Sequence, residues 1–231
     1  MNQAESSNDP SNASQGETLA SSVYEALRQD IVRGKLRPGL KLHLHTLKKD
    51  YNVGNSPLRE ALNRLSSNGM VVREENKGFH VSPASIEELQ ELVKTRCWLE
   101  ETALRESIAN ADDDYDERIV LAYHRLKKAS QGESQGVISP ELEARHSEFH
   151  DTLISNCGSK ILLGYCEQLR EQTLRYRNLA AVIAYRESNE EKEHQSIRDA
   201  IFDRDADEAV GLLKAHYHMT AEIVISSGSL T

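Results

Sequence analysis

Residues 18–81 place the strongest constraint on what this chain can become. An apolar stripe at helical spacing (Val23, Ala26, Leu27, Ile31) runs up to Gly34, which sits where a helix stops. Leu36-Arg37-Pro38-Gly39 then signals a turn. A short second helix fits 44–51, with Leu44, Leu47 and Tyr51 inward. After the tight turn Val53-Gly54-Asn55-Ser56 a third helix begins. Ser56 is a favoured N-cap, Pro57 suits the first helical position, and Leu58, Ala61, Leu62 and Leu65 form the buried stripe. Gly69 ends that helix. Met70-Val71-Val72 and Phe79-His80-Val81 read as two short strands joined at Asn76-Lys77-Gly78. Helix, helix, tight turn, helix, hairpin is the layout of a winged helix-turn-helix. Its third helix enters the major groove of double-stranded DNA and its hairpin forms the wing.

Charge agrees once it is divided along the chain. The 231 residues carry a formal net charge of −9, which taken whole points away from nucleic acid. Residues 18–80, however, hold 11 basic and 6 acidic side chains, while 81–231 hold 17 basic and 28 acidic. A basic head suits phosphate contacts, where counterion release supplies much of the affinity. The acidic remainder has no strand signal and is helical throughout, with starts at Ser85-x-x-Glu88, Ser139-Pro140, Ser188-x-x-Glu191 and Asp205-x-x-Glu208. Helices near 86–109, 113–131, 140–155, 160–184, 189–203 and 206–226 make an antiparallel bundle. The expected fold is mainly α, divided into a tail over 1–17, a DNA-binding head over 18–82 and a helical domain over 83–227. The tail has neither the basic nor the apolar region of a secretory signal, and its Ser, Asn, Gln and Ala content reads as disordered. No apolar run approaches the roughly 20 residues of a membrane span. Three cysteines without a CxxC pair fit reduced thiols in the cytoplasm.

Several of these segments also resemble a known family. Arg33-Gly34-Lys35-Leu36-Arg37-Pro38-Gly39 is similar to the R-G-x-L-x-P-G signature of GntR-family transcriptional regulators. Pro57-Leu58-Arg59-Glu60-Ala61-Leu62 resembles their P-x-R-E-A-L recognition helix, and Gly69-Met70-Val71 and Gly78-Phe79-His80-Val81 resemble the edges of their wing. The helical remainder resembles the effector-binding FCD domain of the FadR-type subgroup. The resemblance implies that Arg59 contacts DNA. Asn55 stands where the family often has a guanine-reading Arg, and Asn pairs better with adenine. Ser56 is a phosphate donor on this reading, and His45 takes the place of a common DNA-contacting Arg. Lys77 and Gly78 bring the wing to a phosphate or the minor groove.

Nine histidines is a high number for this length. His146 and His150 are four apart on one expected helix and share a face. His194 and His216 lie on the last two helices. Such spacing suits a divalent ion, although a lone helical histidine is more often a packing residue. The resemblance adds weight. FCD domains carry D-x-x-x-H and two later histidines, which His150, His194 and His216 match, with His146 in place of the Asp. Four imidazoles would lack an anionic ligand and favour Zn, Ni or Cu over harder ions; alternatively His146 stands outside the ligand set.

The family also implies a small carboxylate effector and a homodimer on a near-palindromic operator. Arg96, in Arg96-Cys97-Trp98-Leu99-Glu100, resembles the R-x-x-L-E element of the first FCD helix. Arg175 and Tyr176 are further effector candidates. Arg177 is the alternative to Arg175, because helical positions two apart point about 200° apart. The Arg175-Tyr176-Arg177 run and the Arg145-His146 pair resemble FCD regulators of glutarate and 4-aminobutyrate use, which makes a dicarboxylate such as glutarate the expected effector. The alternative from the histidines alone is a metal-dependent enzyme, although HExxH is absent.

Overall fold

The computed structural model describes residues 18–131, 139–179 and 190–230. The proposed tail 1–17, the end of the helix expected over 160–184 and the Ser188–Glu191 capping box lie outside them. Most of the described residues are helical, and a small sheet belongs to the N-terminal winged helix-turn-helix.

The head contains helices α1 (Leu19–Val32), α2 (Leu44–Asp50) and α3 (Asn55–Ser67) and strands β1 (Lys41–Leu42), β2 (Val71–Glu74) and β3 (Gly78–Val81). Val23, Leu27 and Ile31 of α1 meet Leu58, Ala61, Leu62 and Leu65 of α3, all buried, and Phe79 and Val81 of the wing close the core. Helix α3 starts two residues earlier than Ser56 as N-cap and Pro57 as first helical residue suggest. Gly54 is its N-cap with extended backbone, and Pro57 falls at the third position. Proline is still tolerated there, because the N–H groups of a first turn have no intrahelical acceptor. The two expected strands form, and the two-residue β1 joins them in the order β1-β3-β2. It pairs Lys41 with His80 and Leu42 with Phe79. Two residues carry no readable period, so this strand is not visible from sequence.

The helical domain comprises α4 (Ile86–Ala109), α5 (Asp113–Gln131), α6 (Pro140–Ile154), α7 (Lys160–Leu179), α8 (Glu190–Phe202) and α9 (Ala206–Ser226). Ser85, Ser139 and Asp205 cap α4, α6 and α9 by accepting the N–H three residues on. Helix α4 packs between α7 and α9, α5 pairs with α6, and α8 with α9. Leu89, Leu104, Tyr115, Phe149, Leu153 and Ile201 fill one continuous core. All three cysteines are buried thiols. Among the described residues no helix is long and apolar enough to cross a membrane.

Candidate metal and effector site

The four histidines from three separate helices converge. His146 and His150 come from α6, His194 from α8 and His216 from α9, and one ring nitrogen from each lies within 4.8 Å of the others. His150, His194 and His216 are buried, and the His146 side chain is only 12% exposed. His146 Nε2 and His150 Nε2 are 3.3 Å apart. Two ligands about 2.05 Å from a tetrahedral Zn²⁺ would stand about 3.3 Å apart. His194 Nε2 is buried with no hydrogen-bond partner among the described residues, which is costly unless something fills the centre.

The surroundings orient the rings as ligands. Glu193 Oε2 lies 2.6 Å from His216 Nδ1 and accepts its proton. The Tyr217 hydroxyl donates to Glu100, which leaves its oxygen to accept from His150 Nδ1 at 3.3 Å. Both arrangements leave Nε2 with its lone pair toward the centre, as carboxylate-backed metal histidines do. These four residues therefore fit a divalent ion, and the all-nitrogen donor set suits Zn or Ni. No motif in the sequence marks Glu193 or Tyr217, because their partners lie on other helices, and the element that contains Glu100 does not show that it backs Tyr217.

A cavity of about 50 Å³ adjoins the cluster, lined by His146, His150, His216, Arg96, Arg177 and Thr173 among others. That space holds a few waters or a small acid, not a large ligand. Arg96 is 6% exposed. Its Nε donates to Glu100 at 2.9 Å and its guanidinium lies 4.1 Å from the Tyr217 ring centre. Burial opposes the charge, but Glu100 outweighs it and keeps Arg96 protonated. Its two Nη groups have no hydrogen-bond partner among the described residues. They form a fork suited to a carboxylate.

The 175–177 run divides as helical geometry requires. Arg177 reaches the cavity, with Nη1 at 2.7 Å from His146 Nδ1. Arg175 does not line the cavity. Its guanidinium points the other way and donates to the carbonyls of Ser82 and Pro83, between head and bundle, and to Glu88. Tyr176 does both: its ring borders the cavity, while its hydroxyl donates to Glu88 and accepts from Ser85 N–H. One turn earlier, Gln172 donates to Asn68 O at 2.8 Å and lies against Gly69. Gly69 has φ +74°, and a Cβ there would meet Gln172 at 2.9 Å. Arg28 pairs with Glu171, and Asn178 donates to Val32 O. One edge of α7 thus grips the head while another lines the cavity. Arg175→Ala is expected to cost about 2–3 kcal/mol in urea unfolding, mainly from two carbonyls left without a donor, since Glu88 is partly solvated. A change under about 0.5 kcal/mol would show the grip to be incidental.

Elsewhere on the head, Asn55, Ser56 and Arg59 stand exposed on the first turns of α3, with His45 exposed on α2 and Lys77 and Gly78 exposed at the β2–β3 turn. Leu58 and Ala61, both fully buried, fix the helix behind them. Lys77 pairs with Glu74 at 2.9 Å, but both are exposed and the pair is weak.

Comparison with known proteins decides the family. Residues 19–81 match the model for bacterial regulatory proteins of the gntR family, and residues 91–219 match the FCD domain. The chain is 34% identical, over 92% of its length and 88% of the relative's, to the HTH-type transcriptional regulator BphR of Paraburkholderia xenovorans. The chain belongs to the GntR family, with an FCD domain. A second relative, the HTH-type transcriptional repressor GlaR of Escherichia coli, is 31% identical over 84% of this chain and 90% of its own. A putative GntR regulator from Rhodococcus sp. RHA1 shares the fold, with TM-score 0.72 at 20% identity over 90% of this chain and 97% of that one. The metal-dependent enzyme alternative gives way here. This GntR regulator's relatives and matched folds are DNA-binding transcriptional regulators.

The buried histidines make the metal-free GntR regulator acid-sensitive. Desolvation, then neighbouring cationic groups, holds His146, His150 and His194 well below the ordinary histidine range. In the unfolded chain they titrate near 6.5. Below that pH the unfolded chain takes up protons that the folded state refuses, so stability present above about pH 6.5 is lost as pH falls. Each group contributes at most about 1.4 kcal/mol per pH unit. In chelator, the melting temperature should fall steadily between about pH 6.5 and 5. A flat profile would contradict this burial.

Proposed function

We propose that this GntR regulator is a repressor whose operator affinity is set by a small organic acid, bound beside a divalent ion at His150, His194, His216 and His146. The observation that carries the reading is the buried Arg96 side chain, which lines the cavity next to four converging histidines. A bound ion would supply a positive site for one carboxylate oxygen, and Arg96 would take the other end of a dicarboxylate such as glutarate. The small cavity favours a short acid.

DNA binding falls to Arg59 and Asn55 on α3, with Ser56, His45, Lys77 and Gly78 against the backbone. A homodimer would set two heads on a near-palindromic operator. The acid must bind one arrangement of the heads better than the other, or it could shift nothing. Helix α7 supports such a coupling, because Tyr176 and Arg177 border the cavity while Arg175 and Tyr176 hold the 82–88 connection. The named repressor among the relatives supports repression. A thermal-shift screen of short mono- and dicarboxylates, with and without chelator, tests the reading. At least one acid should raise the melting temperature only when metal is present. No shift with any acid in metal-loaded protein would refute it.

A further inference from the structure

One cation stands beside the histidine cluster. Arg177, 6% exposed, sets Nη1 at 2.7 Å from His146 Nδ1 and 3.1 Å from His146 Nε2. Both nitrogens that His146 can offer an ion are thus within hydrogen-bond reach of a single guanidinium nitrogen. Arginine does not deprotonate in proteins, so it brings a full positive charge to that edge of the ring. An ion held about 2.0–2.1 Å from His146 would face this charge at close range in a cavity with little water to screen it. An ion drawn to His146 would therefore be opposed by the Arg177 charge. His150, His194 and His216 have no such rival: Glu193 and Tyr217 stand behind two of them, and His194 Nε2 is open.

Glu143 gives the displaced groups somewhere to go. Its Oε1 lies 3.8 Å from Arg177 Nη1 and 4.0 Å from His146 Nδ1. Its Oε2 is buried with no partner among the described residues. If Arg177 withdraws, Glu143 can accept the Nδ1 proton of His146 as Glu193 accepts that of His216.

We propose that Arg177 is a built-in competing cation, so that the centre has three histidine ligands while Arg177 covers His146 and four once a carboxylate draws Arg177 away. The inference rests on the metal reading above and extends it to regulation. Acid and metal would then strengthen one another's binding by the same factor, as linkage requires.

Zinc affinity, measured by competition with a chromophoric chelator in acid-free buffer, tests this on the full-length protein. Arg177→Gln removes the charge and keeps much of the bulk. It should bind zinc at least tenfold more tightly than the wild-type protein. Arg177→Lys should stay close to wild type, because it keeps a cation at the site. His146→Ala should erase the gain, so that His146→Ala and the double variant bind zinc equally. Circular dichroism and melting establish that each variant is folded. Equal or weaker zinc binding by folded Arg177→Gln, or a gain that persists without His146, overturns the proposal while leaving the metal site standing. No zinc binding by any of these proteins, wild type included, overturns the metal reading and this inference with it.

Discussion

Arg59→Ala is expected to abolish operator retention while leaving the fold intact. The side chain is exposed on the second turn of α3, and the residues that hold the helix, Leu58, Ala61, Leu62 and Leu65, are fully buried on the other face. Truncation removes no packing, so the melting temperature should move little. A bidentate arginine contact to a base edge contributes about 1–3 kcal/mol of discrimination, and in a dimer the loss is taken twice. Fluorescence anisotropy with an operator recovered by in vitro selection should show a loss of two orders of magnitude or more. Lys77→Ala should behave differently: binding weakens similarly on all sequences, and the salt slope falls by about one. Unchanged affinity in Arg59→Ala would remove α3 as the reading helix.

The second large effect is on metal content. His150→Ala and His194→Ala should each be purified with little or no bound metal, read by elemental analysis. Both rings are buried at the centre of the cluster, and the Glu193 carboxylate is engaged by His216. Zinc should stabilise the wild-type protein by about 2.7 kcal/mol at a concentration 100 times its dissociation constant, and should not stabilise the variants. Full metal content in both variants would reject the site.

The sequence carries much of this structure where a physical signal repeats along one element. The stripe Leu58, Ala61, Leu62, Leu65 and the capping residues Ser85, Ser139 and Asp205 are periodic or local, so they announce their helices. His146 and His150 share a face for the same reason. What depends on contacts between distant elements stays hidden. The two residues of β1 have no period and exist as a strand only because β3 lies beside them. Glu193 behind His216 and Glu100 behind Tyr217 are acids on acid-rich helices until the fold pairs them. For Arg175 and Arg177, helical geometry says that they diverge. Only the packing of α7 between cavity and head says that Arg175 faces the connection and Arg177 faces His146. The total charge of −9 misleads for a related reason: it averages a basic head with an acidic helical domain.

On the proposed function, acid and metal at the histidine cluster govern the DNA-binding head. The most direct test is operator affinity of zinc-loaded protein across a series of short dicarboxylates, repeated with chelator and with Arg96→Ala. At least one acid should weaken operator binding tenfold or more, and chelator or Arg96→Ala should abolish the effect. Operator affinity that no acid changes in zinc-loaded protein, or that an acid changes equally in chelator, would contradict that function.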